Sequence, residues 1–283
     1  MAVSDQARLH FRLGVILLVA IAAALAVGTL ANGLSLRLDI DRRLQAPSPG
    51  HPFGTDALGR DVFSCLAFGT LVSLAIALAA VFISASIGAL LGFTAAWWGG
   101  MVNACIMRSA DLIMAFPGIL FSLAVMAFWG PGVFHLVLAL AVSGWASYAR
   151  LVRVEVLKTK DMEFILAARN FNASALRIAA RHMAPLLFPL LLTQAVLGIA
   201  GVILLESSLN FLGLGLDPRL PTLGQMIDAG RSQIFIMPAL AVLPGACLVA
   251  LIAAFLLLAD GIRSRFQTGP FAKNDARHKH LEE

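Results

Sequence analysis

The stretch KDMEFILAARNFNASALRIAARHMAP, Lys160 to Pro185, decides how this chain is read. A charged residue recurs every few positions, so the stretch is too polar to cross a bilayer. It is also too apolar for a solvated loop. Asp161 is placed to cap a short helix, where its carboxylate meets unpaired backbone N–H groups, and Glu163 in the first turn is favourable for the same reason. At 100° per residue, Phe164, Ala168 and Phe171 share one face, with Ala167 at its edge, while Met162, Ile165, Leu166 and Arg169 cover another. A helix apolar on two sides asks for two neighbours, its own bundle beneath and a second protein above. The paired alanines let another backbone approach closely. Asn172 stands where the helix should stop, and Asn is the usual substitute for Gly in a left-handed C-cap. The competing reading is an amphipathic helix lying on the bilayer; that wants one broad apolar face and a Lys-rich polar one, which Glu163 and the two-faced pattern fit poorly.

The surroundings of this stretch are those of a membrane protein. Of 283 residues, 59% are hydrophobic and only 13% charged, with mean hydropathy +0.87. Soluble domains carry about a quarter charged residues, so lipid is the expected solvent. Apolar runs long enough to span fall at about 11–31, 69–97, 106–129, 133–157, 184–206 and 236–260, which predicts an all-α bundle of six transmembrane helices. Arg8 and Arg12 precede the apolar stretch Leu13 to Leu30 of the first run, which is longer than a signal-sequence core and is expected to be a retained helix. With the N-terminus in the cytoplasm, fifteen of the 21 Lys and Arg residues fall on cytoplasmic segments and adjoining helix ends, and the C-terminus returns to the same side. The layout is then a cytoplasmic N-terminus and first helix (1–35), a periplasmic segment (36–68), a core of five helices (69–262) and a cytoplasmic tail (263–283). The core holds the opening stretch as a cytoplasmic loop (158–184) and a second periplasmic segment (206–235). The basic residues mark one face and form no aromatic-interleaved groove, which argues against nucleic acid.

Against this background EFILAARNFNASALRIAARHMAP, Glu163 to Pro185, resembles the coupling-loop signature of bacterial ABC importer permeases: an alanine pair, a glycine four residues on and a proline thirteen further. Carried over, Ala167 and Ala168 are the pair, Asn172 stands at the glycine and Pro185 is the proline; Ala184 replaces the usual Leu. Three more segments resemble the peptide, nickel and opine branch. In FGTDALGRDVFSCL (Phe53 to Leu66), Gly54 and Gly59 permit tight turns and Asp56, Arg60 and Asp61 are placed to pair; Cys65 and Leu71 stand where the family often has Arg. In MRSADLIMAFPGIL (Met107 to Leu120), Arg108 and Asp111 are spaced to pair and Pro117 should bend the helix; Asn103 stands where Asp is frequent. ESSLNFLGLGLDPRLPTLGQMIDAGR (Glu206 to Arg231) breaks regular helix with Gly and Pro, as a re-entrant or scoop-like outer segment does.

The resemblance implies a permease fold in the bacterial inner membrane. It also implies a second permease subunit as heterodimer partner, two cytoplasmic ATPase subunits or domains and a periplasmic solute-binding protein. The helix from Asp161 to Phe171 would dock in an ATPase groove, and Met114, Pro117 and Glu206 are candidates for the pathway or a gate. The solute would be a short peptide, a nickel chelate or an opine. No Gly-rich loop ending in Gly-Lys-Ser/Thr is present, so ATP and Mg are assigned to the partners and no cofactor to this chain. His10, His51, His135, His182, His278 and His280 form no metal-ligand pattern. Cys65, Cys105 and Cys247 give no close-spaced pair, which argues against a disulfide or zinc framework. Neither a Ser/His nor an Asp/Asp constellation at membrane depth points to an enzyme. An ATP-independent secondary transporter or channel is the rival function; it requires intramembrane ionisable residues for coupling, and the mid-spans offer almost none.

Overall fold

In lipid a backbone must satisfy its own hydrogen bonds, and the apolar runs do so as long helices. The computed structural model describes residues 2–32, 36–217 and 220–267. Pro218, Arg219 and the tail from residue 268 on lie outside them. In chain order the helices are α1 (Ala2–Asn32), α2 (Val62–Trp98), α3 (Gly100–Ala115), α4 (Gly118–Trp129), α5 (Val133–Thr159), α6 (Glu163–Asn170), α7 (Ala175–Ile178), α8 (Ala184–Phe211), α9 (Leu223–Arg231) and α10 (Ala239–Gln267). A π-helical turn, Ala179–Met183, joins α7 to α8. Among the described residues, five helices are long and apolar enough to cross a membrane: those starting α1, α2 and α5, the run from α7 through α8, and α10.

The expected third span is not one helix. α3 and α4 together pass the same test but meet at 89°, so a sixth span exists only as a broken one. Phe116 is extended (φ −94°, ψ 136°), the conformation forced on a residue that precedes proline, and Pro117 takes the N-cap of α4. The outcome is an elbow rather than the bend expected of Pro117. Two other boundaries also move. α2 begins seven residues before its apolar run because the Asp61 carboxylate accepts from the Ser64 N–H at 2.7 Å and caps it. α8 runs on past position 206 to Phe211.

The bundle is held along a seam between α2 and α5. A Cβ added at Gly88 would stand 2.5 Å from the Trp145 carbonyl oxygen, and one at Gly92 2.4 Å from that of Ala149. Those two glycines, one turn apart, let the backbones touch, the device membrane helices use where burial against lipid supplies little drive. Ser84 Oγ donates across the same seam to the Ala141 carbonyl at 3.0 Å. Tyr148 of α5, Ala77 and Val81 of α2, Ile199 and Ile203 of α8, and Leu251 and Phe255 of α10 fill the middle. α1 lies on α10: Arg265 covers the Phe11 ring at 4.1 Å, and His10 meets Asp260 at 2.5 Å.

The segment before α2 folds over the outer ends of α2, α9 and α10, where Val62, Leu66, Leu223 and Leu240 form a small core with Leu44 and Phe53 against it. Gly54 and Gly59 both have positive φ, and Gly59 lies so close to the Asp39 backbone that no side chain fits. Arg60 pairs with Asp56 at 2.7 Å, as the spacing suggested. Asp61 instead serves the helix cap and His51, at 3.1 Å.

Candidate functional site

α6 hangs below the inner end of α5, separated from it by Lys160, Asp161 and Met162 alone. Its start differs from expectation. Met162, extended at φ −67° and ψ 144°, is the N-cap, there is no side-chain cap, and Asp161 is exposed in the preceding turn. The Met162 N–H bonds back to the Thr159 carbonyl at 3.1 Å, so the turn closes through backbone and leaves the Asp161 carboxylate outside. Glu163 occupies the first turn, exposed. At the other end Asn172 adopts φ 57°, and its N–H donates to the Arg169 carbonyl at 2.9 Å while that of Ala173 donates to the Ala168 carbonyl at 3.1 Å. That pair of bonds is a Schellman motif with Asn in the left-handed position.

The rotation of α6 about its axis also corrects the face assignment. Ile165, grouped by periodicity with Met162, Leu166 and Arg169, is fully buried among Ala96 of α2, Val152 and Val156 of α5, and Ile178, Met183 and Leu187. Ala168, three residues on, is half-buried against the same cluster and so belongs underneath, not with Phe164 and Phe171. Arg169 lies over the Trp97 ring at 4.3 Å, a second tie to α2. What faces outward is Phe164, Leu166, Ala167 and Phe171, the last 87% exposed. Phe164 leans toward His182 in the π-helical turn, with 6.5 Å between ring centroids. Pro185 stands in the first turn of α8, directly after the π-helical turn.

The remaining expectations are redistributed. Asp111 pairs with Arg150 of α5 rather than with Arg108 of its own helix, and Arg153 Nε donates to Asn103 Oδ1. Both ties cross from α3 to α5 over dozens of residues, which helical spacing does not reveal. Met114 and Pro117 are exposed at the elbow, beside Phe116. Glu206, a gate candidate, is fully buried inside this chain. Its Oε1 accepts from Asn210 Nδ2 at 2.7 Å and its Oε2 from Ser207 Oγ at 3.2 Å; Ser73 of α2 faces the carboxyl without reaching hydrogen-bond geometry. Asn210 and Gln225, which carry that polar cluster outward, were not singled out by motif; the signal available was simply amides interrupting apolar sequence. Among the described residues no group of three His, Cys, Asp or Glu side chains is placed to hold a metal ion.

Residues 88–267, which contain both seam glycines, α5, α6 and the segment from Glu206 to Arg231, match the family described as binding-protein-dependent transport system inner membrane component. The chain belongs to that family. The permease is 38% identical over 225 residues to the glutathione transport system permease protein GsiD of Pectobacterium atrosepticum, covering 80% of this chain and 75% of that one. The same protein of Escherichia coli O157:H7 matches at 38%, over 80% of this chain and 74% of its own. The permease is thus a multi-pass inner-membrane subunit of an ABC importer of the peptide and nickel branch, a transport component rather than an enzyme. An inward-facing structure of the MetNI methionine ABC transporter superposes with TM-score 0.58 at 19% identity, covering 72% of this permease and 97% of that chain. At that identity the likeness is one of fold.

Proposed function

We propose that this subunit moves a short peptide-like solute of the glutathione type inward, driven by ATPases that grip α6. The observation that carries the coupling role is a helix with two apolar sides of which the chain itself covers only one. Ile165 and Ala168 anchor it, and Phe164, Leu166, Ala167 and Phe171 are left standing outward at the inner face. Exposed aromatic side chains around a small residue are what a groove on another protein takes up, because they add contact area and Ala167 lets the groove wall come close. In this reading ATP binding draws two ATPases together, α6 travels with the groove that holds it, and the helices rooted in its cluster tilt. A second permease subunit completes the pathway, and a periplasmic binding protein hands over the solute. The solute class is supported by the 38% identity to glutathione permeases.

The test is reconstitution with the cognate ATPases and binding protein. Ala167→Trp puts an indole on the exposed side of α6 and should weaken ATPase retention in detergent at least tenfold, about 1.4 kcal/mol, with the spans still folded. Mass spectrometry of the binding protein's ligand should return a glutathione-sized peptide. Full retention and transport in Ala167→Trp would remove α6 from the coupling path, a purely metallic or sugar ligand would overturn the solute class, and uptake into vesicles lacking nucleotide would favour an ATP-independent carrier.

A further inference from the structure

The outer end of α8 carries a run of polar contacts that a membrane span does not require. Glu206 is fully buried, and no ion pair among the described residues includes it. Its carboxyl does one geometric task. By accepting from Asn210 Nδ2, together with the Glu206 carbonyl at 3.0 Å, it fixes which way the Asn210 amide points. The Asn210 Oδ1 is thereby presented to the Leu216 N–H, which donates to it at 2.8 Å. The Leu216 carbonyl then accepts from Gln225 Nε2 of α9 at 2.7 Å. The backbone at Gly215 and at Gly224 is drawn tight over these groups. A Cβ at Gly215 would fall 1.9 Å from Asn210 Oδ1, and one at Gly224 2.1 Å from the Ser207 carbonyl oxygen.

Leu216, so held, stands in one wall of a cleft. Leu216, Asp217 and Leu220 face Pro131, Gly132 and Val133 of the α4–α5 corner across about 290 Å³. We propose that Glu206, Asn210 and Gln225 are positioning residues, which hold Leu216 as a fixed point in the wall of the outer cleft so that solute handed over from outside meets a preformed entrance. This rests on the importer reading above, and it assigns Glu206 a hydrogen-bonding task instead of a charge-bearing gate.

The experiment uses the full importer in nanodiscs with its binding protein and Glu206→Gln, Glu206→Leu and Gln225→Leu. Gln keeps an acceptor for the Asn210 amide; Leu does not. Glu206→Leu should raise hydrogen exchange at the Leu216 amide and its neighbours roughly tenfold while amides of α2 and α5 keep their wild-type rates. The binding-protein concentration for half-maximal ATPase stimulation should rise far more than the maximal rate falls. Gln225→Leu, which lies on α9, should move both readings the same way by less, and Glu206→Gln should track wild type. A Gln variant as impaired as the Leu variant would show that the carboxylate charge is what matters and would sink the proposal. So would unchanged exchange near Leu216, or exchange raised equally throughout α2 and α5 in both Leu variants. A wild-type complex that no binding protein stimulates would count against the importer reading instead, and the exchange measurement would still judge the positioning network.

Discussion

Ala167 and Ala168 are adjacent and chemically identical, yet the fold gives them opposite surroundings. Ala167 is exposed, whereas Ala168 rests on the cluster around Ile165. Enlarging each should therefore fail differently. Ala167→Trp should release the ATPases and leave thermal stability unchanged, whereas Ala168→Trp should lift α6 off its seat and cost about 1–3 kcal/mol of local stability by overpacking. Exchange protection of residues 163–173 distinguishes the two outcomes. Asn172 makes a sharper case. Its φ of 57° is tolerated by Asn and Gly and strained for a β-branched side chain. Asn172→Val should fray the end of α6 by about 1–2 kcal/mol, and Asn172→Gly should be neutral or slightly stabilising, both read from the same amides. The left-handed residue was legible in the sequence because its cause is local. The orientation of the alanine pair was not, because Ile165 and Phe164 are about equally apolar and the choice between them is made by Val152, Ile178 and Met183.

At the scale of elements, the elbow between α3 and α4 follows from one proline and the residue before it. Apart from that steric bar, residues 100–129 are long and apolar enough to run on as a single helix. Pro117→Ala should let them do so. Spin labels on Cys105 and on a cysteine at Phe128, with Cys65 and Cys247 replaced, should then move from about 23 Å apart across a right angle to about 35 Å along a straight helix. Unchanged distances would show that the contacts of α4 with α5 and α8 hold the elbow without the proline. The sequence announced a disturbance at Pro117 but not its size, since a kink needs only a lost hydrogen bond whereas an 89° turn also needs somewhere for α4 to lie. That place is supplied by Met126 packing on Leu136 and Leu140 of the next helix and on Leu209 of α8, which is distant in the chain. The spans themselves were legible from length and apolarity, and their ends moved wherever a cap, such as Asp61, recruited polar sequence into the helix.

For the whole molecule, the glycine seam joins α2 and α5 with little room for sliding. Gly92→Leu should abolish a stable fold rather than tune transport, since its side chain would collide with the Ala149 carbonyl and Val152; loss of monodisperse protein in detergent is the expected reading. α5 also touches two distant regions. Near its outer end Leu136 and Leu140 share a core with Leu216 of the cleft wall, and near its inner end Val152 and Val156 bury Ile165 of α6. A rod of 27 residues, about 40 Å long, thus stands on both sides of the bilayer at once. An antibody fragment clamped onto the periplasmic lip should accordingly throttle nucleotide turnover on the opposite surface without ever crossing the lipid.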